Sequence, residues 1–182
     1  MKNIITIFLF LVSCTVSAEI LKFASPTESG IQFVWWPKVT PPKHWHVDEG
    51  SSHYFSFNAI APDGSTFSNA EAVLYAKANF KPRSPEIKNL RSFIQEDIAS
   101  IRQQKTSVQV VQEKTIFSGS HKPFQVIAYN PISENDNNWE RVAYGEDDEY
   151  YITFVISSRS KSALNNALPA FASMISSYKS EP

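Results

Sequence analysis

Tyr150–Tyr178 reads YYITFVISSRSKSALNNALPAFASMISSY, and its two halves ask for different secondary structures. Tyr150 to Ser157 has the strongest strand composition in the chain, β-branched and aromatic side chains in an unbroken run. Such residues suit a pleated surface covered on both faces, so this segment is expected at the centre of a sheet. From Lys161 the tail is expected as a helix, with Ala170, Phe171, Met174, Ile175 and Tyr178 as its buried face. Pro169 divides that helix or starts its main run, because proline is tolerated in a first turn and not inside.

Working back from this stretch, Trp139–Tyr144 and Glu149–Ser157 form a hairpin around Gly145, Glu146, Asp147 and Asp148. A polar loop, Asn130–Asn138, precedes it. Lys122–Tyr129 and Ser107–Phe117 read as two more strands joined at Ser118-Gly119-Ser120. Upstream lies the clearest helix, Pro85–Gln104, with Ser84 as N-cap, Pro85 at its first position and Glu86 in its first turn. Ile87, Leu90, Ile94, Ile98 and Ile101 give it one apolar stripe, and Asp97 beside it is either a boundary residue or a buried, partnered carboxylate. Four earlier segments read as strands: Ile20–Phe23, Ile31–Trp36, His53–Ala61 and Ala70–Phe80, the last also rich in helix formers. Strands, a long helix, two hairpins and a terminal helix make an α+β pattern: an antiparallel sheet with a long central helix and a C-terminal helix packed on it.

The first 18 residues are expected as a signal peptide. Lys2 is its positive end, Ile4–Val12 its apolar run, and Val16-Ser17-Ala18 its cleavage site. At about ten residues the run is too short to span a bilayer. Leu11-Val12-Ser13-Cys14 also resembles a bacterial lipobox, so a lipid anchor at Cys14 is the alternative. The first reading implies export to the periplasm or medium, and the second a membrane-anchored lipoprotein. Cys14 is the only cysteine. Cleavage at Ala18 leaves a cysteine-free chain that folds without a disulfide. Residues 19–182 suit one domain, and 42% hydrophobic with 13% aromatic residues suffice for its core. A net charge of −1 offers no electrostatic case for nucleic acid or an acidic membrane.

No nucleophile elbow, phosphate loop, dinucleotide fingerprint or zinc-protease helix occurs. Ser51-Ser52-His53 and Ser118-Gly119-Ser120-His121 place serine beside histidine, but without the strand-turn-helix context of a nucleophile. The acidic loops Glu134–Asp136 and Glu146–Glu149 lack calcium-loop spacing. Candidate chemistry gathers instead in Gly30–Asn58, GIQFVWWPKVTPPKHWHVDEGSSHYFSFN, which holds three of the four Trp and three of the four His. Pro37, Pro41 and Pro42 stiffen its middle. Trp36 and Trp45, with His53, are candidate ligand-binding residues, since aromatic rings supply large contact area. Adjacent Trp35 and Trp36 face opposite ways in a strand, so at least one is expected in the core. His44 and His46 are candidate metal ligands if the segment is extended and both imidazoles share a face. Against a metal stand the missing cysteine and the lack of an acidic residue at a recognised ligand spacing.

The order of elements resembles the PsbP-like superfamily of α/β/α sandwiches, in an uncharacterised secreted bacterial branch. The resemblance is carried by Trp36-Pro37 through Trp45, by the helix around Phe93–Ile101, and by YYITFVISSRS followed by LPAFASMISSY. It implies a non-enzymatic role, and no cofactor is expected. Such proteins serve as accessory subunits, assembly factors, small-GTPase partners or chaperones of secreted effectors, and a shared fold does not choose among them. The expected function is therefore an exported binding or assembly protein that contacts a protein or peptide. A periplasmic metal-binding protein using His44 and His46, and a periplasmic inhibitor or immunity protein, are the alternatives.

Overall fold

The structure is a computed structural model that describes residues 20–27, 30–105, 107–133 and 137–179. The expected signal peptide, Cys14 and the acidic run Glu134–Asp136 lie outside the described residues. Among the described residues ten strands and three α-helices occur in chain order: β1 (Ile20–Thr27), β2 (Gly30–Pro37), β3 (Trp45–Val47), α1 (Glu49–Phe55), β4 (Asn58–Pro62), β5 (Ala72–Phe80), α2 (Leu90–Gln104), β6 (Val108–Gln112), β7 (Ile116–Phe117), β8 (Pro123–Pro131), β9 (Trp139–Asp147), β10 (Tyr150–Ser158) and α3 (Lys161–Ser177). Every strand pair is antiparallel, and the main path runs β1-β2-β5-β10-β9-β8-β6.

As its composition demands, β10 is central, paired along its whole length with β5 and β9. Its alternation feeds two cores. Ile152, Phe154 and Ile156 join Leu164, Phe171, Met174 and Ile175 of α3. Tyr151 and Val155 join Phe93 and Ile94 of α2 on the opposite face, with Ile87, Leu90, Ile98 and Ile101 packed alongside. The result is the expected α+β architecture, a sheet between helix layers.

Four expectations are corrected. His53–Ala61 is not one strand: His53 lies in the last turn of α1, and β4 begins at Asn58. Asp48 caps the new helix, and Ser56 closes it in the left-handed conformation, φ 59°. The long helix starts at Leu90 rather than Pro85, because Asn89 and Ser92 form a reciprocal capping box there. The Ser84 carbonyl accepts only an isolated turn from the Ile87 N–H, at 3.0 Å, and that turn does not propagate. Ser107–Phe117 breaks into β6 and β7, with 113–115 between them. Finally, α3 is one helix from Lys161 to Ser177, capped by Ser160, and Pro169 lies inside it. The proline ring faces solvent, so the hydrogen bond it forfeits falls on the exposed side.

The outer edge of β5 is shared. Leu74, Tyr75 and Ala76 pair with β4, whereas β2 pairs with β5 only at Trp35↔Ala78. The β1–β2 hairpin therefore joins the sheet through one bridged residue pair, and this geometry creates the candidate site.

Candidate functional site

The segment from Pro37 to Ser56 is built by local rules. The Trp45 N–H donates to the Pro42 carbonyl at 3.0 Å, and His44 takes a left-handed φ of 66° to make the corner. β3 then pairs with β4. Asp48 anchors the helix beyond it. One of its carboxylate oxygens accepts from the Ser51 N–H and the other from the Phe67 N–H, each at 2.9 Å. The Phe67 and Ser51 backbone donors hold its carboxyl below the usual carboxylate range. The buried Ser52 hydroxyl donates to the Asp48 carbonyl at 2.8 Å and accepts from the Ala59 N–H at 2.9 Å. These bonds lay α1 across the start of β4.

On its outer side α1 faces the hairpin. Leu21, Phe23, Val34 and Trp36 share one face of β1 and β2, given the pairing Leu21↔Trp36 and Phe23↔Val34. The Phe23 and Trp36 rings stack at 3.9 Å, and exposed His53 comes within 5.8 Å of the Trp36 ring and 6.2 Å of Phe23. Two adjoining cavities of about 360 and 390 Å³ run along this face and share Phe23, Trp36 and His53. Trp36 is only 7% exposed, and its indole N–H has no acceptor among the described residues. A buried donor without an acceptor is costly and calls for an explanation.

Of the three candidate ligand residues, Trp36 and His53 meet in this groove, and Trp45 does not. Trp45 is half-buried, packed against the core on the α3 side of the sheet. The two candidate metal ligands are also placed differently from expectation. The left-handed backbone at His44 interrupts the alternation that would put both imidazoles on one face. The His46 Nδ1 lies 3.6 Å from an Asp63 carboxylate oxygen. Among the described residues no three or more His, Cys, Asp or Glu are grouped so as to hold a metal ion. Of the serine-histidine pairs, Ser51 to His53 sit within α1, while the Ser118 and Ser120 hydroxyls meet each other at 3.2 Å.

Sequence reasoning missed two features. One is an aromatic run from the sheet to solvent: Tyr75 stacks on Phe57 at 4.4 Å, Phe57 on Phe55 at 5.4 Å, and Phe55 meets Tyr54 edge-on at 4.8 Å. The FSF spacing at 55–57 carried that signal, hidden by the expected strand. The other is the cleft between β2 and β5, about 270 Å³, whose lining includes Arg83 and Lys77. No local motif marks it, because it arises where two strands part.

No helix among the described residues is long and apolar enough to cross a membrane. No protein-family model matches the chain, and no curated protein matches it. Solved structures do. The solution structure of a cyanobacterial PsbP (CyanoP), from Synechocystis sp. PCC 6803, is similar at 10% identity and a TM-score of 0.47, over 92% of this chain and 95% of that one. A crystal structure of PA94 from Pseudomonas aeruginosa, a protein of unknown function described there as a candidate regulator, is similar at 11% identity and a TM-score of 0.50, over 88% of this chain and 98% of that one. At such identities the likeness is one of fold. The chain thus shares its fold with the PA94 protein, and its α+β sandwich is the architecture that the PsbP resemblance implied.

Proposed function

We propose that this is an exported, non-enzymatic binding or accessory protein that holds a protein or peptide partner in the groove between the β1–β2 hairpin and α1. Export rests on the leader-like residues 1–18. The observation that carries the contact role is Trp36: a buried indole, stacked on Phe23 beside exposed His53, with its N–H unanswered among the described residues. A carbonyl from a bound peptide is the acceptor this reading supplies. Apolar walls with a few polar groups at one end are the usual make-up of a recognition groove, and the aromatic anchors supply contact area.

The test is capture from a periplasmic extract, comparing the wild-type protein with His53→Ala. His53 is exposed, so this change leaves the core intact. A partner recovered by the wild type and reduced several-fold with the variant supports the groove. Equal recovery by both removes it from consideration.

A further inference from the structure

We propose that the cleft where β2 parts from β5 receives carboxylates, which makes the partner an acidic peptide segment. This deepens the preceding reading, since it names the chemistry of a partner that reading leaves open. After the Trp35↔Ala78 pair the two strands are no longer bridged. The opening of about 270 Å³ is lined by Trp35, Lys77, Asn79, Arg83 and Ser84 among others, and by no carboxylate. Two cations share a small cavity with amide and hydroxyl donors, and no anion among the described residues lines it to balance them.

Arg83 is held ready. A single 3₁₀ turn, Lys81–Arg83, comes directly after β5 and swings the side chain back over the sheet edge. Its guanidinium lies 4.4 Å from the Trp35 ring centroid, and its Nη1 donates to the Phe33 carbonyl at 2.8 Å. The ring beneath is itself braced by Phe80, stacked at 5.2 Å. A guanidinium oriented by stacking and by one hydrogen bond keeps its remaining N–H donors in a fixed plane, the arrangement suited to a carboxylate. Lys22 adds a cation on the Trp35 face beside Arg83, 4.1 Å over the Phe33 ring. Among the described residues no carboxylate pairs with Lys22, Lys77 or Arg83, although Lys81, Lys105 and Arg141 each have one. The cleft and the Trp36 groove are continuous through Val34 and Ser56, which line both. A peptide with apolar side chains in the groove therefore has its neighbouring acidic side chains within reach of the cleft.

The experiment titrates the purified protein with hexaglutamate, hexalysine and inorganic phosphate, read by calorimetry and by the change in tryptophan fluorescence. Hexaglutamate is expected to bind, hexalysine not. Lys77→Gln and Arg83→Gln are each expected to weaken hexaglutamate about fivefold, as is added salt. Failure of hexaglutamate to bind, or unchanged affinity in both variants, overturns the proposal. Inorganic phosphate that binds where hexaglutamate does not also overturns it. Arg83 braces β2 through Phe33, so Lys77→Gln decides the matter if Arg83→Gln loses its fold. His53→Ala is expected to keep hexaglutamate affinity. Retained hexaglutamate binding with undiminished capture by His53→Ala would sink the groove and leave the cleft, and the reverse pattern would sink the cleft alone.

Discussion

The Tyr144 hydroxyl donates to the Asp97 carboxylate, joining β9 to α2 across the sheet face. Tyr129 extends the link, its hydroxyl 2.8 Å from that of Tyr144. Both tyrosines are fully buried, so this polar chain stays satisfied only while all three groups are present. Asp97→Ala is expected to destabilise the protein by about 1–3 kcal/mol, because it strands a buried hydroxyl. Tyr144→Phe should cost a similar amount, and the double variant less than the sum of the two. Urea unfolding of the three variants checks this; strict additivity would show that the groups act independently.

Burial pushes up the phenols of Tyr75, Tyr129, Tyr144 and Tyr178, the last donating also to Asp147 at 2.7 Å. Their protonated forms are therefore favoured by folding. Stability from these groups is complete below pH 10.0, the ordinary tyrosine value, and declines as pH rises above it and the unfolded chain releases protons first. The slope is about 1.4 kcal/mol per pH unit for each tyrosine that stays protonated in the fold. Denaturant midpoints measured from about pH 8 to 11 should fall at the alkaline end; a flat profile would mean that these phenols ionise in place.

Asp48 predicts the opposite dependence at the acid end. Its carboxylate is the acceptor for both the Ser51 and Phe67 N–H groups. Its stabilising effect is present above its ordinary value of 3.8 and is lost as pH falls below it. Asp48→Ala is expected to cost about 1 kcal/mol and to loosen α1 over the groove. Thermal melts at neutral pH, alongside those of Asp48→Asn, measure the loss.

Gly145 faces the Phe124 ring so closely that a Cβ would collide with it. Gly145→Ala should destabilise by about 1–3 kcal/mol through overpacking. Calorimetry of Gly145→Ala and of Gly64→Ala separates this from backbone strain, since Gly64 has φ 80° and nothing near its absent side chain.

Trp36→Phe keeps a ring to stack on Phe23 and deletes the unanswered N–H. Its stability is expected to equal or exceed that of wild type, since a buried donor without an acceptor costs about 1–3 kcal/mol. Partner capture should fall at the same time. A variant that loses stability instead would mean that the lost indole packing, or an acceptor reached in solution, outweighs the unanswered N–H.

How much of the architecture was written in the sequence depended on whether the cause was local. The apolar run of β10 and the stripe of α2 are periodic, so sheet, helices and their facing sides could be read directly. The start of α2 could not, because Ser84 and Asn89 both offer caps and only one has a reciprocating Ser92 three residues on. α1 was lost because Tyr54 to Phe57 alternates as a strand does, while the cue for a helix was a single aspartate at position 48. Within the site, Trp36 and His53 could be nominated by residue type. Their meeting could not, since it needs the hairpin brought against α1 by long-range pairing. The Arg83 cleft is the extreme case: it has no sequence signature, only a place where pairing stops.

That one-pair attachment of the hairpin has a consequence for hydrogen exchange. Amides of β10 are paired on both sides along the whole strand and are expected to exchange only when the whole domain unfolds. Those of β1 and β2 are expected to answer to a smaller event, the lifting of a two-stranded hairpin held at the Trp35↔Ala78 pair, by the Arg83–Phe33 hydrogen bond and by stacked rings. An occupant bridging hairpin and body would slow exchange in β1 and β2 while leaving β10 untouched, so protection there serves as a gauge of occupancy that needs no knowledge of what is bound.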